Sequence, residues 1–151
     1  MVTSLNDLGP KGFIDTSWDD AEFIDTPIGR ACFIDVGDPE NAHRALVALV
    51  DYAPGTIIPP HSHATDYTSV VVEGTIEVTR RKHGVGDIRV VKAGTVYGPL
   101  VAGPDGCKVI EIFADRSGIL ATYPKTDDPL SQKFIAMQDE YLQNQLRDLV
   151  S

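Results

Sequence analysis

The sequence has little that would carry it across a membrane, onto nucleic acid or into a disulfide framework. No apolar run approaches the roughly 18 residues that read as a spanning helix. Positive charge is scarce: Lys and Arg number 13 against 22 Asp and Glu, for a net charge of −9. A surface of that sign repels phosphate backbones and anionic headgroups, which argues against nucleic acid and membrane as partners. The one basic run, Arg80-Arg81-Lys82, is short and falls at an expected hairpin tip. Two cysteines, Cys32 and Cys107, stand far apart with no CxxC or Cys/His zinc spacing. They are expected to be buried thiols in a reducing compartment. The stretch MVTSLNDLGPKG has neither a basic nor an apolar signal-peptide region, so a cytoplasmic protein is expected.

What is present suits one globular domain. Hydrophobic residues make up 42% of 151, enough for a core. The expected division is an N-terminal strand arm over 1–40, a core over 41–115 and a C-terminal extension over 116–151. The arm carries a ten-residue repeat: GFIDT at 12–16, EFIDT at 22–26 and CFIDV at 32–36. Each copy reads as a short strand that pairs with the core or with a second subunit. Beyond it, RALVALVDY at 44–52 reads as an apolar strand, followed by Thr56 to His63. Thr68–Glu73 and Thr75–Arg81 read as a hairpin turning at Glu73-Gly74. Further strands are expected at 88–91, 95–101 and 107–113, with a turn at Gly103–Gly106 before the last. Many short strands with turn signals between them indicate an all-β barrel or sandwich. Asp127-Asp128-Pro129 then reads as a helix entry. Apolar residues three and four apart predict an amphipathic helix from roughly 131 to 149.

The chemistry concentrates at His61 and His63. Two residues apart on a strand, they present both imidazoles on one face, which suits a metal or an acid/base site. The same parity brings Tyr67, Ser69 and Val71 to that face. Asp66 has the wrong parity, and only a bulge at Ala64-Thr65 would turn it inward as a ligand. Glu111, on the last core strand, is a second carboxylate that could face inward. His43 and His83 read as surface residues.

The spacing Gly55, five residues, His61-Ser62-His63, three residues, Tyr67, six residues, Gly74 resembles the first motif of the cupin superfamily, G(X)5HXH(X)3,4E(X)6G. Tyr67 stands where that motif has glutamate. The second motif, which normally supplies a third histidine, corresponds to GTVYGPLVAGPDG from Gly94. It contains no histidine, and Tyr97 is its polar stand-in. The resemblance covers residues 44 to 113. It implies a small antiparallel β-barrel of the double-stranded β-helix, or jelly-roll, type with both histidines facing its interior. It also implies a homodimer, for which the apolar arm supplies an exchanged or added strand.

The expected function is a small-molecule enzyme of oxygenase, isomerase or lyase type. A divalent metal (Fe, Zn, Ni or Mn) would sit on His61 and His63, completed by Asp66 or Tyr97. Without metal, a neutral histidine would serve as general base and Tyr67 or Tyr97 as general acid. No organic cofactor is expected. The competing readings are a ligand-binding module and an interaction protein with a vestigial pocket.

Overall fold

The computed structural model describes residues 12–13, 15–141 and 143. The strands among them are β1 Ile24–Thr26, β2 Gly29–Val36, β3 Ala45–Tyr52, β4 Ile57–Ile58, β5 Ser62–His63, β6 Tyr67–Val78, β7 Arg81–His83, β8 Ile88–Val91, β9 Leu100–Phe113 and β10 Ala121–Thr122. One helix, α1, spans Pro129–Tyr141. All pairings are antiparallel. The main sheet runs β1-β2-β3-β9-β6-β7, with β4 on β9 and β8 on β6; β5 and β10 form a separate pair. The ladder does not close on itself among the described residues. The hydrogen bonds therefore make an open antiparallel sheet and a small second one.

Register explains where the core lies. Alternate residues of a strand share a face, so paired residues form rows across the sheet. One inward row is Val91–Tyr67–Phe113–Leu46 and another is Val71–Val109–Val50–Ala31, all buried. Between them runs Arg89–Ser69–Glu111–Ala48–Phe33, a row with three polar members. Each large apolar side chain in these rows contributes about 1.5–3 kcal/mol by burial, and the polar row interrupts that core.

Two expected turns are absent. Gly74 lies inside β6 and Gly106 inside β9, paired in the same ladder, where the register shifts at bulges. Both have positive φ, 76° and 79°, and a Cβ on Gly74 would meet the Gly106 carbonyl oxygen at 2.2 Å. The glycines serve a close backbone approach at a bulge rather than a chain reversal. The reversal comes later, at Thr79-Arg80, where both residues take left-handed φ of 48° and 68°.

The arm is also shorter in strand than expected. The second and third repeats become β1 and β2, a hairpin that extends the sheet beside β3. Around the first repeat, residues 12–13 and 15–17 form no strand, and Ile14 lies outside the described residues. The repeat's Asp35 instead pairs with Arg44 at 3.0 Å and Arg116 at 3.4 Å. Helix α1 starts at Pro129, where proline is tolerated in the first turn. The Asp128 carboxylate accepts from Ser131 N at 3.0 Å, as an N-terminal cap does. The expected continuation of the helix to 149 lies outside the described residues, apart from position 143.

Candidate functional site

His61 is held from both sides of its own backbone. Its N–H donates to Tyr97 O and its carbonyl accepts from Tyr97 N, each at 3.0 Å. Pro59 and Pro60 just upstream supply no N–H, so strand pairing resumes only at this bridge. His63 follows on β5, opposite Ala121 of β10. The two imidazole rings stand 5.2 Å apart, nearly perpendicular.

Both tautomers follow from hydrogen bonding. His61 Nδ1 lies 2.9 Å from Pro59 O and His63 Nδ1 lies 3.1 Å from Gly118 O. A carbonyl only accepts, so each Nδ1 carries the proton and each Nε2 offers a lone pair. Tyr97 Oη meets His61 Nε2 at 3.1 Å. The Tyr97 and Tyr67 hydroxyls are hydrogen-bonded to each other, and Arg89 Nη2 donates to Tyr67 Oη at 3.4 Å. A guanidinium can only donate, so the chain has one direction: Arg89 to Tyr67, Tyr67 to Tyr97, Tyr97 to His61, His61 to Pro59. Each member polarises the next. His63, by contrast, bonds to the backbone at Gly118 and Ile119, and among the described residues no side chain hydrogen-bonds its Nε2.

Burial sets the protonation states. Desolvation pushes the His61 imidazole down to about 4 against the opposing bond to Pro59, and holds His63 below the ordinary histidine range. Desolvation pushes the Tyr67 phenol up to about 12, reinforced by Glu111, and raises Tyr97 as well. At neutral pH the site therefore presents two neutral imidazoles and two protonated phenols. Glu111 is buried, its carboxyl raised by desolvation, and it accepts from Tyr52 Oη at 3.0 Å.

These groups border a cavity of about 180 Å³. Its lining is mostly apolar, with Phe33, Val50, Phe113, Phe134 and Met137 around His61, His63, Tyr97 and Glu111. Helix α1 covers part of the cavity. Gln138 fastens it by accepting from Ala121 N at 3.1 Å and donating to Ala121 O at 3.0 Å.

Of the residues singled out from sequence, His61, His63, Tyr67 and Tyr97 come together. Asp66 does not: it is exposed, and its carboxylate accepts from Ala93 N at 2.7 Å, capping the turn after β8. No bulge turns it inward, so it cannot serve as a ligand beside the histidines. Sequence reasoning missed Arg89, Tyr52 and Tyr123. Tyr123 is buried, with its ring 5.7 Å from that of His61. The sequence signal around Arg89 points the other way. In Ile88-Arg89-Val90 the alternation rule puts the arginine outside, whereas Ile88 and Val90 are 63% and 78% exposed and Arg89 faces in.

The donor set was tested against the metal that the resemblance implies. Two imidazoles with Nδ1 on backbone carbonyls match the usual orientation of metal-bound histidine. A stable site ordinarily needs three or more protein ligands. Among the described residues no three His, Cys, Asp or Glu side chains converge to hold an ion. His61 Nε2 is already engaged by Tyr97, and Glu111 by Tyr52. The residues present do not complete a metal centre.

Comparison with known proteins agrees with the architecture. The family model described as "Cupin domain" matches residues 48–113. No curated protein matches in sequence. Among solved structures, the polyketide cyclase RemF from Streptomyces resistomycificus is 17% identical, with 84% of this chain and 96% of that chain covered and a TM-score of 0.61. The oxalate decarboxylase of Bacillus subtilis, which has Mn(II) centres, is 18% identical over 85% of this chain and 38% of its own, at a TM-score of 0.55. A chain in the Rhodobacter sphaeroides complex of SigE with the anti-sigma ChrR is 18% identical over 64% of this chain and 51% of its own, at 0.54. This chain thus spans about half or less of two of these three relatives. At such identities the likeness is one of fold, the jelly-roll β-barrel type. Residues 48–113, which run from β3 to β9 and include His61 and His63, thus resemble a cupin domain.

Proposed function

We propose that the chain is a small-molecule enzyme that transfers protons in the cavity beside His63 and Tyr97, of isomerase or lyase type. One observation carries this reading. His63, whose Nε2 no other side chain engages, lines an apolar cavity together with the protonated Tyr97 phenol. A base and an acid in one desolvated pocket are the two groups that proton transfer beside a carbonyl requires.

The steps follow from these groups. A substrate of about one aromatic ring fits, since cavities of roughly 150 Å³ hold benzene. His63 Nε2 takes a proton from the carbon beside a substrate carbonyl. Tyr97 turns its O–H from His61 to the carbonyl oxygen and stabilises the enolate. His61, whose Nδ1 is held by Pro59, keeps Tyr97 positioned by accepting its hydrogen bond in the resting state. Return of the proton at another carbon gives isomerisation, and loss of a β-substituent gives a lyase. The arm turn at Pro27-Ile28 and Phe134 and Met137 of α1 add apolar lining to the cavity. Enzymes of this fold, such as the polyketide cyclase, support the enzymatic reading at the level of fold.

A metal-dependent form with Fe, Zn, Ni or Mn would rest on the same imidazoles. The set falls one ligand short, so no step is routed through an ion. The test of function is deuterium incorporation, followed by NMR, into a panel of enolisable single-ring ketones in D2O. Exchange accelerated by wild type and abolished in His63→Gln is expected. A panel untouched by the wild type would leave a ligand-binding module as the better reading. Elemental mass spectrometry on the same samples is expected to find substoichiometric metal; stoichiometric metal lost in His61→Ala would reinstate the metal-dependent form.

We also propose a homodimer. The outward row Val90–Thr68–Ile112–Val47–Ile34 contains no charge. For a chain of net charge −9, an uncharged face is the one on which two copies meet without repulsion.

A further inference from the structure

Arg89 lines a depression separate from the apolar cavity, and among the described residues it has no direct ion-pair partner. Its Nε is buried and has no hydrogen-bond partner. Its Nη2 makes one long bond, 3.4 Å, to Tyr67 Oη, and its Cζ lies 4.8 Å from the centre of the Tyr97 ring. Among the described residues no carboxylate lies within ion-pair distance of it. Glu111, its row neighbour across Ser69, is bonded to Tyr52; burial raises its carboxyl while the Arg89 charge acts the other way, without a direct ion pair. A buried cation without a partner is costly, and chains retain one chiefly where an anion completes it.

The surroundings fit such an anion. Arg89 borders a second depression of about 490 Å³, formed by the β6–β7 hairpin and β8 and separate from the apolar cavity except for the shared Tyr97. Arg81 adds positive potential there. The one acid in its lining, Asp87, spends a carboxylate oxygen on Gly84 N at 2.8 Å. Val78, Ile88 and Val90 give the depression an apolar side. In a chain of net charge −9, this local surplus of guanidinium is out of keeping with the rest of the surface.

We propose that this depression is a binding site for a small organic carboxylate, with the carboxylate on Arg89 and Arg81 and the apolar body against Val78 and Ile88. A guanidinium presents parallel N–H donors that match a carboxylate, and a half-buried one binds with little competition from water. The inference goes beyond the proton-transfer reading and does not depend on it, because it concerns the other side of Tyr97.

The test uses benzoate and its uncharged counterpart benzamide on the intact chain, by titration calorimetry at low salt and by the arginine Nε–H resonances in NMR. Benzoate is expected to bind wild type at least tenfold more tightly than benzamide and to shift the Arg89 Nε–H signal. Arg89→Gln should weaken benzoate at least tenfold, and the exposed Arg81→Gln, which leaves the core untouched, about threefold. His61→Gln should leave benzoate affinity within twofold, which separates this site from the proton-transfer pocket. Equal affinity for the two probes, or benzoate binding that leaves the Arg89 signal unmoved, overturns the proposal. So does benzoate binding indifferent to both arginine substitutions. The wild-type comparison decides the matter even if Arg89→Gln does not fold.

Discussion

Tyr97 and His61 hold each other at two levels. Their backbones exchange a pair of hydrogen bonds of 3.0 Å, and their side chains meet again at 3.1 Å between Oη and Nε2. The backbone bridge sets the distance at which the side chains can bond, so a phenol 36 residues downstream reaches the imidazole without a flexible approach. The Tyr67 and Arg89 links then extend this pair into one directed chain.

Removing the middle of that chain should be felt in both stability and activity. Tyr97→Phe leaves His61 Nε2 without a donor and Tyr67 without an acceptor in a buried setting. A loss of about 1–3 kcal/mol is expected by urea unfolding. The deuterium exchange rate should fall about 100-fold or more, the usual contribution of a positioned acid. A variant as stable and as active as wild type would remove the chain from the mechanism.

Acid should destabilise the protein through His61. Its folded-state pKa is about 4, below the ordinary value of 6.5 that the unfolded chain has. Between these values the unfolded state binds more protons, so stability is full above pH 6.5 and is lost as pH falls toward 4. The span corresponds to about 3 kcal/mol at one pKa unit per roughly 1.4 kcal/mol. His63 acts in the same direction, while Glu111, raised in the fold, opposes them as pH rises. The comparison is therefore between wild type and His61→Gln. Unfolding free energy should drop more steeply from pH 6.5 to 4.5 in wild type, and parallel slopes would contradict the burial argument.

Gly74→Ala should be far more damaging than Gly55→Ala, although both glycines belong to the same motif and both have φ near +70°. At Gly55 a Cβ meets nothing within 4 Å, and the cost is the backbone term of about 1 kcal/mol. At Gly74 it strikes the Gly106 carbonyl, so a total nearer 3 kcal/mol is expected. Denaturation midpoints of the two variants measure the difference directly.

Val90→Lys puts a charge at the β8 end of the uncharged outward row. In sedimentation velocity the wild type should run at twice the chain mass and the variant at once, with unchanged circular dichroism. A dimeric variant would place the interface elsewhere.

The legible part of the chain was its periodicity of two. It put Tyr67 and Ser69 on the side of His61 and His63, and both are buried there. It also identified β3 within one residue at its start, because apolar residues fill both faces of that strand. Turn chemistry misled at Gly74 and at Gly103–Gly106. A glycine with positive φ reads the same in sequence whether it reverses the chain or makes a bulge inside a long strand. Alternation misled at Arg89, because a dry outer face inverts the rule that apolar residues point inward.

By itself the sequence determined the strand content, the paired histidines on one face and the absence of a third histidine near them, since these depend on local spacing and residue type alone. The tertiary structure decided which groups complete the site. Arg89 and Glu111 reach it through strand register across the sheet and Tyr97 through an isolated bridge to His61, and such pairings are properties that no single stretch of sequence contains. It decided the chemistry as well. Burial drives the imidazoles further toward the neutral form and the phenols further toward the protonated one, and burial is fixed by what packs around a residue rather than by its neighbours in the chain.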